Sequence, residues 1–415
     1  MLSHQNHLER VRATMRGAGI DLMFLTYGPD MTYVTGVQVP QTSYNSRFNG
    51  GEGEWITGVL FGIEKDPVII LQKSYHRITV EPETWVRDIR VVPWRDRAAV
   101  WGPLTDGDST TETREEAVSG DPDAFLGQVL AEFDPNGKTI AVDRWCPWRT
   151  VQALQAAAPG ARLVLAAREM MDDVRSIKDD DELEIMQRAA QITDRALAQT
   201  LKQIKPGITE RDVSNELMFQ LLDAGAQNYS FYPGIICVGN GSDPKRHIMV
   251  RNTDMVLAPG TTVAFDFGVV YQGYCTDFGR TAFVGEPLPE ALAAYRSLTA
   301  TQKATLEIMA DGQVSPAGIV KFVEDRMRED GYLQWHAGLG LGHTIDLEAH
   351  ELPAMYPQLH NWKFHEPIRA GMCFALEPKI WNPGIFYVRC EDVIVVEKER
   401  SRSLTKFHYE PNVIV

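Results

Sequence analysis

Two aspartates, within a stretch that otherwise has the composition of buried β-structure, restrict what this 415-residue chain can fold into. The stretch is DFGVVYQGYCTDFGRT, residues 266–281, and it contains Asp266 and Asp277. One apolar run precedes the first aspartate and another follows the second, which predicts two strands joined by a tight turn. With Tyr271 and Gln272 as the central turn residues, the aspartates face each other across the hairpin, roughly 5 Å apart at Cβ.

Such a pair needs a reason, because a buried carboxylate costs free energy unless it is neutralised or paired. Two carboxylates this close either share a proton or hold a cation between them. The alternative, two unrelated surface aspartates beside a hairpin, stays open on this stretch alone.

A second acidic pair repeats the arrangement in ALEPKIWNPGIFYVRCEDVIVVE, residues 375–397. Glu377 and Glu391 lie at equal distances in sequence from Gly384, which belongs to the turn signal Asn-Pro-Gly. They face each other if the loop is centred on that glycine. Two hairpins that each bring two carboxylates to one face predict a metal site.

Histidines in two nearby stretches supply candidate neutral donors. GLGLGHTIDLEAHELP contains His343 and His350, and DPKRHIMV contains His247. Three further histidines are interpreted as structural: His360, His365 and His408.

Four carboxylates and one imidazole form a hard, oxygen-rich ligand set that suits Mn²⁺, Co²⁺, Fe²⁺ or Zn²⁺. One divalent ion leaves these four carboxylates with a charge of −2, whereas two ions balance them. The charge of the ligand set therefore predicts a centre with two divalent ions.

Length and composition set the broader frame. A chain of 415 residues is too long for one ordinary core, so we expect two domains. The first third alternates helix-like and strand-like stretches, which predicts an α/β domain with a mixed sheet, and residues 95–121 predict an exposed polar insertion. Five cysteines without CxxC spacing argue against a disulfide framework, and the net charge of −15 argues against nucleic acid and anionic membranes as partners. With a polar amphipathic start and no apolar run of membrane length, we expect a cytoplasmic protein.

The acidic and histidine motifs resemble those of the pita-bread metallopeptidases, the family of aminopeptidase P, prolidase and methionine aminopeptidase. RSIKDDDELEIMQRA, residues 175–189, is similar to the start of their catalytic domain, and the preceding α/β region resembles the creatinase-type N-terminal domain. The resemblance implies an α+β fold with a creatinase-like N-terminal domain over residues 1–168 and a pita-bread catalytic domain over residues 169–415.

The resemblance also implies a role for each candidate residue. Asp266 would bind one ion, His343 and Glu377 the other, and Asp277 and Glu391 would bridge the two. The catalytic residues it implies are His247, His350, Glu377 and Arg389. In the family the two histidines bind the scissile carbonyl and the oxyanion, and the glutamate carries a proton to the leaving amine. Arg389 lies by the site in proline-specific members, and the alternative for it is to orient the carboxylates.

The implied reaction is Xaa-Pro cleavage of short peptides with two ions, of which Mn²⁺ is the first candidate. The alternative is a metal-dependent hydrolase or lyase that acts on a small molecule. Leu339 stands where proline-specific members carry a histidine, and Asp346 stands where a glycine is usual, so we expect an altered substrate preference beside the pocket. A long polar stretch at residues 38–55 leads us to expect a homodimer in which the N-terminal domain of one subunit borders the other's active site, and the alternative is that this stretch is a disordered surface loop.

Overall fold

The computed structural model describes residues 3–26, 28–38, 56–71, 80–92, 121–143, 145–239, 242–336, 340–356 and 363–415. These form two compact units, residues 1–175 and 176–415. The boundary predicted between residues 168 and 169 falls within the helix Ala167–Ser176 and stays a prediction. The predicted insertion at residues 95–121 lies almost entirely outside the described residues, as does most of the stretch 38–55.

The first unit is an α/β domain with a mixed sheet, as predicted. The part of it that the structure describes has six strands, β1 (Leu22–Leu25), β2 (Gly58–Gly62), β3 (Val68–Leu71), β4 (Asp88–Val91), β5 (Thr139–Val142) and β6 (Arg162–Val164), in the order β4-β3-β2-β1-β5-β6. Among the described residues of this unit, the helices are His4–Ala18, Gly28–Thr35, Pro122–Ala131, Trp148–Ala157 and Ala167–Ser176. β1 runs antiparallel to β2 but parallel to β5. All four β1 side chains are buried, which explains the uninterrupted apolar run in its sequence.

The α-helices described in the second unit begin at a side-chain cap or, for Pro289–Ile308, with a proline in the first turn. They span Asp180–Gln203, Glu210–Asp223, Pro289–Ile308 and Pro316–Glu329. Thr209 and Asp212 form the capping box that their spacing predicts, with the Asp212 amide donating to the Thr209 hydroxyl over 3.1 Å. Among the described residues, none of the helices is long and apolar enough to cross a membrane.

Antiparallel strands dominate the second unit, whose helices pack on its sheets as the α+β prediction requires. The strands are β7 (Asn228–Tyr229), β8 (Gly234–Gly239), β9 (Thr261–Phe267), β10 (Val269–Tyr271), β11 (Tyr274–Cys275), β12 (Phe278–Val284), β13 (Gly342–Thr344), β14 (Glu351–Ala354), β15 (Cys373–Leu376), β16 (Lys379–Asn382), β17 (Phe386–Arg389), β18 (Asp392–Val396), β19 (Ser401–Ser403) and β20 (Asn412–Ile414). Two of the sheets have the orders β20-β12-β9-β8 and β14-β13-β15-β18-β19.

The first acidic hairpin is shifted by two residues from its predicted register, so that prediction was wrong in detail. Its central turn residues are Gln272 and Gly273, with φ of 49° and 84°. Two positive φ angles define a type I′ turn, whose twist matches that of the flanking strands. Asp266 therefore pairs with Gly279 rather than with Asp277. A shift of two keeps every side chain on its face, so both aspartates still point to the same side.

The second acidic hairpin has the predicted register, centred on Gly384. Lys379 pairs with Arg389 in one ladder, and Leu376 pairs with Asp392 in the next. Gly384 has a φ of 73°, which favours glycine at the loop centre. Residues 377 and 391, which lie between these two ladders, therefore meet across the hairpin.

Candidate metal centre

Five strand ends of the second unit bring the five predicted ligands together. Asp266 lies on β9, Asp277 just before β12, His343 on β13, Glu377 after β15 and Glu391 before β18. All five side chains are buried. Their ligand atoms form two groups, each within 4.8 Å, that share Glu391: His343 with Glu377 and Glu391, and Asp266 with Asp277 and Glu391.

His343 is oriented so that one ring nitrogen faces the carboxylates. Its Nδ1 lies 3.1 Å from the carbonyl oxygen of Thr344, which leaves Nε2 at 3.4 Å from Asp277 Oδ2 and 4.0 Å from Glu377 Oε1. Burial by itself would lower the pKa of His343, but the carboxylates of Asp277 and Glu377 raise it above the ordinary value. An imidazole held in this way is typical of metal-binding histidines.

Three buried ligand atoms lack a hydrogen-bond partner within the part of the chain that the structure describes. They are Asp277 Oδ1, Glu391 Oε1 and His343 Nε2. Burial, together with the nearby Asp277 and Glu377 carboxylates, raises the pKa of Glu391 well above its usual value. Since buried polar atoms are normally satisfied, these three fit a bound cation.

Arg389 lies within this cluster and contacts three of its carboxylates. Its Nη1 lies 2.7 Å from Asp266 Oδ2, and its Nη2 lies 2.6 Å from Glu391 Oε2 and 3.1 Å from Glu377 Oε2. These contacts correspond to the orienting alternative considered for this arginine.

Two more cations contact the cluster, and sequence reasoning did not identify either. Lys379 Nζ lies 2.5 Å from Glu377 Oε2, and Arg251 Nη1 lies 2.5 Å from Asp266 Oδ2. The first could have been found, because side chains two residues apart in an extended chain point to the same side. The second comes from the loop between β8 and β9 and gives no such signal.

These cations change the charge count of the cluster. When all four carboxylates are ionised they carry −4 against the +3 of Arg251, Lys379 and Arg389, which leaves −1, and protonation of Glu391, whose pKa is raised, leaves a balance of zero. The charge balance predicted from the sequence included the four carboxylates alone, and the centre with two divalent ions stays a prediction. The number of ions therefore has to rest on other grounds.

Glu377 is held in its ionised form. Burial would raise its pKa, but the charges of Lys379 and Arg389 outweigh burial and hold the pKa below the ordinary value. The hydroxyl of Tyr356 donates a hydrogen bond of 2.7 Å to Glu377 Oε1. Burial raises the pKa of Tyr356, so that its proton stays on the hydroxyl.

The two histidines expected to bind substrate lie in different surroundings. His350 has a side chain that is 62% exposed, its Nε2 lies 3.6 Å from Asp277 Oδ2, and its ring lies 4.5 Å from that of His343. Partial enclosure and the neighbouring His343 lower the pKa of His350. His247 is exposed, and its described contacts are the Met249 amide at 3.1 Å and the Trp381 ring at 5.4 Å. His350 therefore contacts Asp277 and His343 of the cluster directly. The contacts described for His247 are with Met249 and Trp381, which do not belong to the cluster.

Leu339 and Asp346 are the two departures from the family pattern. Residue 339 lies outside the described residues, as does His360. Asp346 is buried, and its carboxylate lies 3.3 Å from the ammonium of Lys178, which is also buried. Its backbone carbonyl accepts a 2.5 Å hydrogen bond from the Cys275 amide, two residues before Asp277.

The fold and the carboxylate cluster together define the class of pita-bread metallopeptidases, and comparisons with known proteins support this class. The Metallopeptidase family M24 matches residues 184–398, and the Creatinase/Prolidase N-terminal domain matches residues 7–177. The chain belongs to metallopeptidase family M24.

Individual relatives agree with this assignment. The chain is 27% identical to the uncharacterized peptidase YqhT of Bacillus subtilis over 96% of this chain and 97% of that protein. It is 28% identical to the Xaa-Pro dipeptidase of Pyrococcus horikoshii over 66% of this chain and 74% of the other. The solved structure of the Xaa-Pro dipeptidase from Bacillus anthracis superimposes with a TM-score of 0.77, at 24% identity, and covers 99% of this chain and 100% of that one. At this identity the structural likeness shows the fold alone.

Proposed function

We propose that this protein is a metal-dependent peptidase that cleaves short peptides of the Xaa-Pro type. The observation that carries the proposal is the buried cluster of Asp266, Asp277, His343, Glu377 and Glu391, with three ligand atoms that lack partners in the described structure. Membership of family M24 and a relative named as an Xaa-Pro dipeptidase support the choice of substrate class.

The cluster offers two overlapping groups of donors, so we propose two divalent ions, with Mn²⁺ as the first candidate. One ion would be held by His343, Glu377, Asp277 and Glu391, and the other by Asp266, Asp277 and Glu391. When bound, the ions supply Lewis-acid activation of a water and of the scissile carbonyl.

Protein side chains supply the remaining steps. Arg389 orients Glu377 and Glu391 through its guanidinium, which keeps their other oxygens directed into the cluster. His350 is placed to donate a hydrogen bond to the carbonyl oxygen as negative charge develops there, and His247 would bind substrate further from the ligands. Glu377 would carry the proton to the leaving amine, and Lys379 makes it a weak base for that task.

The direct experiment is release of free proline from Xaa-Pro dipeptides by protein loaded with Mn²⁺. We expect turnover on the order of 1–100 s⁻¹. His343→Ala is the matched control, since it removes the one neutral ligand and should abolish both ion binding and turnover. Metal binding without proline release would refute the Xaa-Pro proposal and favour the alternative, a metal-dependent hydrolase or lyase of a small molecule.

Specificity at the leaving group is tested by Leu339→His. An apolar side chain discriminates similar substrates by only about 1–3 kcal/mol, whereas a polar contact can discriminate more strongly. We propose that the substitution raises activity on Xaa-Pro dipeptides relative to other dipeptides. Equal activity ratios in the two proteins would show that residue 339 does not set this preference.

A further inference from the structure

One carboxylate oxygen of the cluster is shared by two arginines. Asp266 Oδ2 lies 2.5 Å from Arg251 Nη1 and 2.7 Å from Arg389 Nη1. By contrast, Asp277 and Glu391 each present one oxygen without a hydrogen-bond partner among the described residues. Asp266 is therefore neutralised by the protein itself, whereas Asp277 and Glu391 each keep an oxygen that is open to a cation.

The backbone on both sides of Asp266 makes room for these arginines. Gly234 on β8 and Gly279 on β12 are its two partners in the sheet. A Cβ atom at Gly234 would lie 2.6 Å from Nη1 of Arg251, and one at Gly279 would lie 2.7 Å from Nε of Arg389. Because each glycine lacks a side chain, one arginine occupies the space beside it. Both arginine contacts therefore depend on backbone positions within the sheet.

The two arginines differ in how firmly they are held. Arg389 lies on β17, is 4% exposed and contacts three carboxylates. Arg251 extends from a loop, its side chain is 23% exposed, and Asp266 is the carboxylate that it contacts. Its Nε has no hydrogen-bond partner within the described structure. Of the two, Arg251 can leave Asp266 with fewer contacts broken.

We propose that Arg251 competes with a divalent ion for Asp266 and thereby sets the affinity of that end of the cluster. Like charges a few ångströms apart repel strongly in a partly buried site, so an ion binds at Asp266 only as the guanidinium withdraws. This inference rests on the proposed function, because it places ions at the cluster. Beyond that function, it assigns to Arg251 the control of the affinity for the second ion.

The test measures Mn²⁺ binding by titration calorimetry at pH 7 and fixed ionic strength, on full-length protein stripped with a chelator and then dialysed. For the wild type we expect one tighter and one weaker binding event. Arg251→Gln should tighten the weaker event at least about tenfold, which corresponds to about 1.4 kcal/mol, and change the tighter event by less than about threefold. Arg251→Lys retains a cation there and should stay near the wild type.

Two further variants separate competition from general damage. Gly234→Ala should displace Arg251 without removing it and should therefore tighten the weaker event as Arg251→Gln does. Arg211→Gln removes an exposed arginine that pairs with Asp254 at 3.1 Å, and it should change neither event. The fold of each variant is checked by circular dichroism.

The possible outcomes distinguish the inference from the proposed function. If Arg251→Gln and Gly234→Ala leave the weaker event unchanged or weaken it, the competition is refuted while the metal centre stands. If the wild type binds no Mn²⁺ at any concentration up to millimolar, the proposed function fails, and the inference fails with it.

Discussion

At the scale of single residues, the charges around Glu377 determine when this carboxylate can bind an ion. Lys379 Nζ lies 2.5 Å from Oε2, Arg389 Nη2 lies 3.1 Å from the same oxygen, and the Tyr356 hydroxyl donates to Oε1. The positive charges hold the pKa of Glu377 below its usual value despite burial. The Glu377 carboxylate is therefore ionised even in acid solution. Because two cations already contact it, its affinity for a further cation is low.

Replacing Lys379 with methionine tests this balance. Because the ammonium lowers the pKa of Glu377, its removal raises that pKa, and protonation then begins at a higher pH. The acid limb of Mn²⁺ binding should move upward by about one pH unit. Titration calorimetry between pH 3 and 6, which includes the ordinary glutamate range, measures the shift, and Lys379→Arg, which keeps the charge, is the control. An unshifted acid limb in the methionine variant would mean that Lys379 does not govern the ionisation of Glu377.

His350 provides a second residue-scale prediction. Its exposed ring lies close enough to Asp277 for either a catalytic or a ligand role. If it donates to the oxyanion, His350→Ala should lower kcat/KM on the order of 10²-fold and leave the metal content near normal. Metal analysis of the purified variant distinguishes the roles, since loss of an ion would make His350 a ligand.

At the scale of structural elements, the two acidic hairpins show what the sequence can and cannot specify. The Asn-Pro-Gly loop fixed the second register, because its glycine lies at the centre of a symmetrical motif. The first register was missed by two residues, because Gln272 adopts a positive φ that few side chains favour. Both carboxylate pairs were still placed on the correct faces, since a shift of two preserves the alternation of a strand.

The type I′ turn leads to a stability prediction. Gly273 has a φ of 84°, which an alanine adopts only with strain, so Gly273→Ala should lower the free energy of unfolding by about 1 kcal/mol or more. Gln272→Asn is the matched control, because asparagine tolerates the left-handed conformation better and should be neutral or stabilising. Urea denaturation of both variants gives the comparison, and equal stability of Gly273→Ala and the wild type would contradict the assigned turn.

The cations of the cluster show the limit of reasoning from motifs. Carboxylates in strand hairpins are recognisable because the pattern is local and unusual for a buried strand. Arg251 reaches Asp266 from a loop fifteen residues earlier, through the space left by Gly234, and only the three-dimensional structure reveals this path. The ligand set could therefore be predicted from sequence, whereas its net charge could not.

At the scale of the whole molecule, the family assignment concerns both units. The N-terminal unit has its own core around Phe24, Leu60 and Ile140, and the C-terminal unit has separate hydrophobic clusters. The metal cluster belongs entirely to residues 176–415.

A homodimer in which residues 38–55 border the partner's active site is the corresponding prediction. Light scattering at micromolar concentration should give twice the chain mass of 46.6 kDa. The shared site is tested by mixing two inactive proteins, one with His343→Ala and one with Arg47→Ala and Trp55→Ala together. Each mixed dimer then contains one complete site, so random exchange should restore about a quarter of the wild-type activity. A monomeric protein, or a mixture that stays inactive after verified subunit exchange, would show that each chain forms its active site alone.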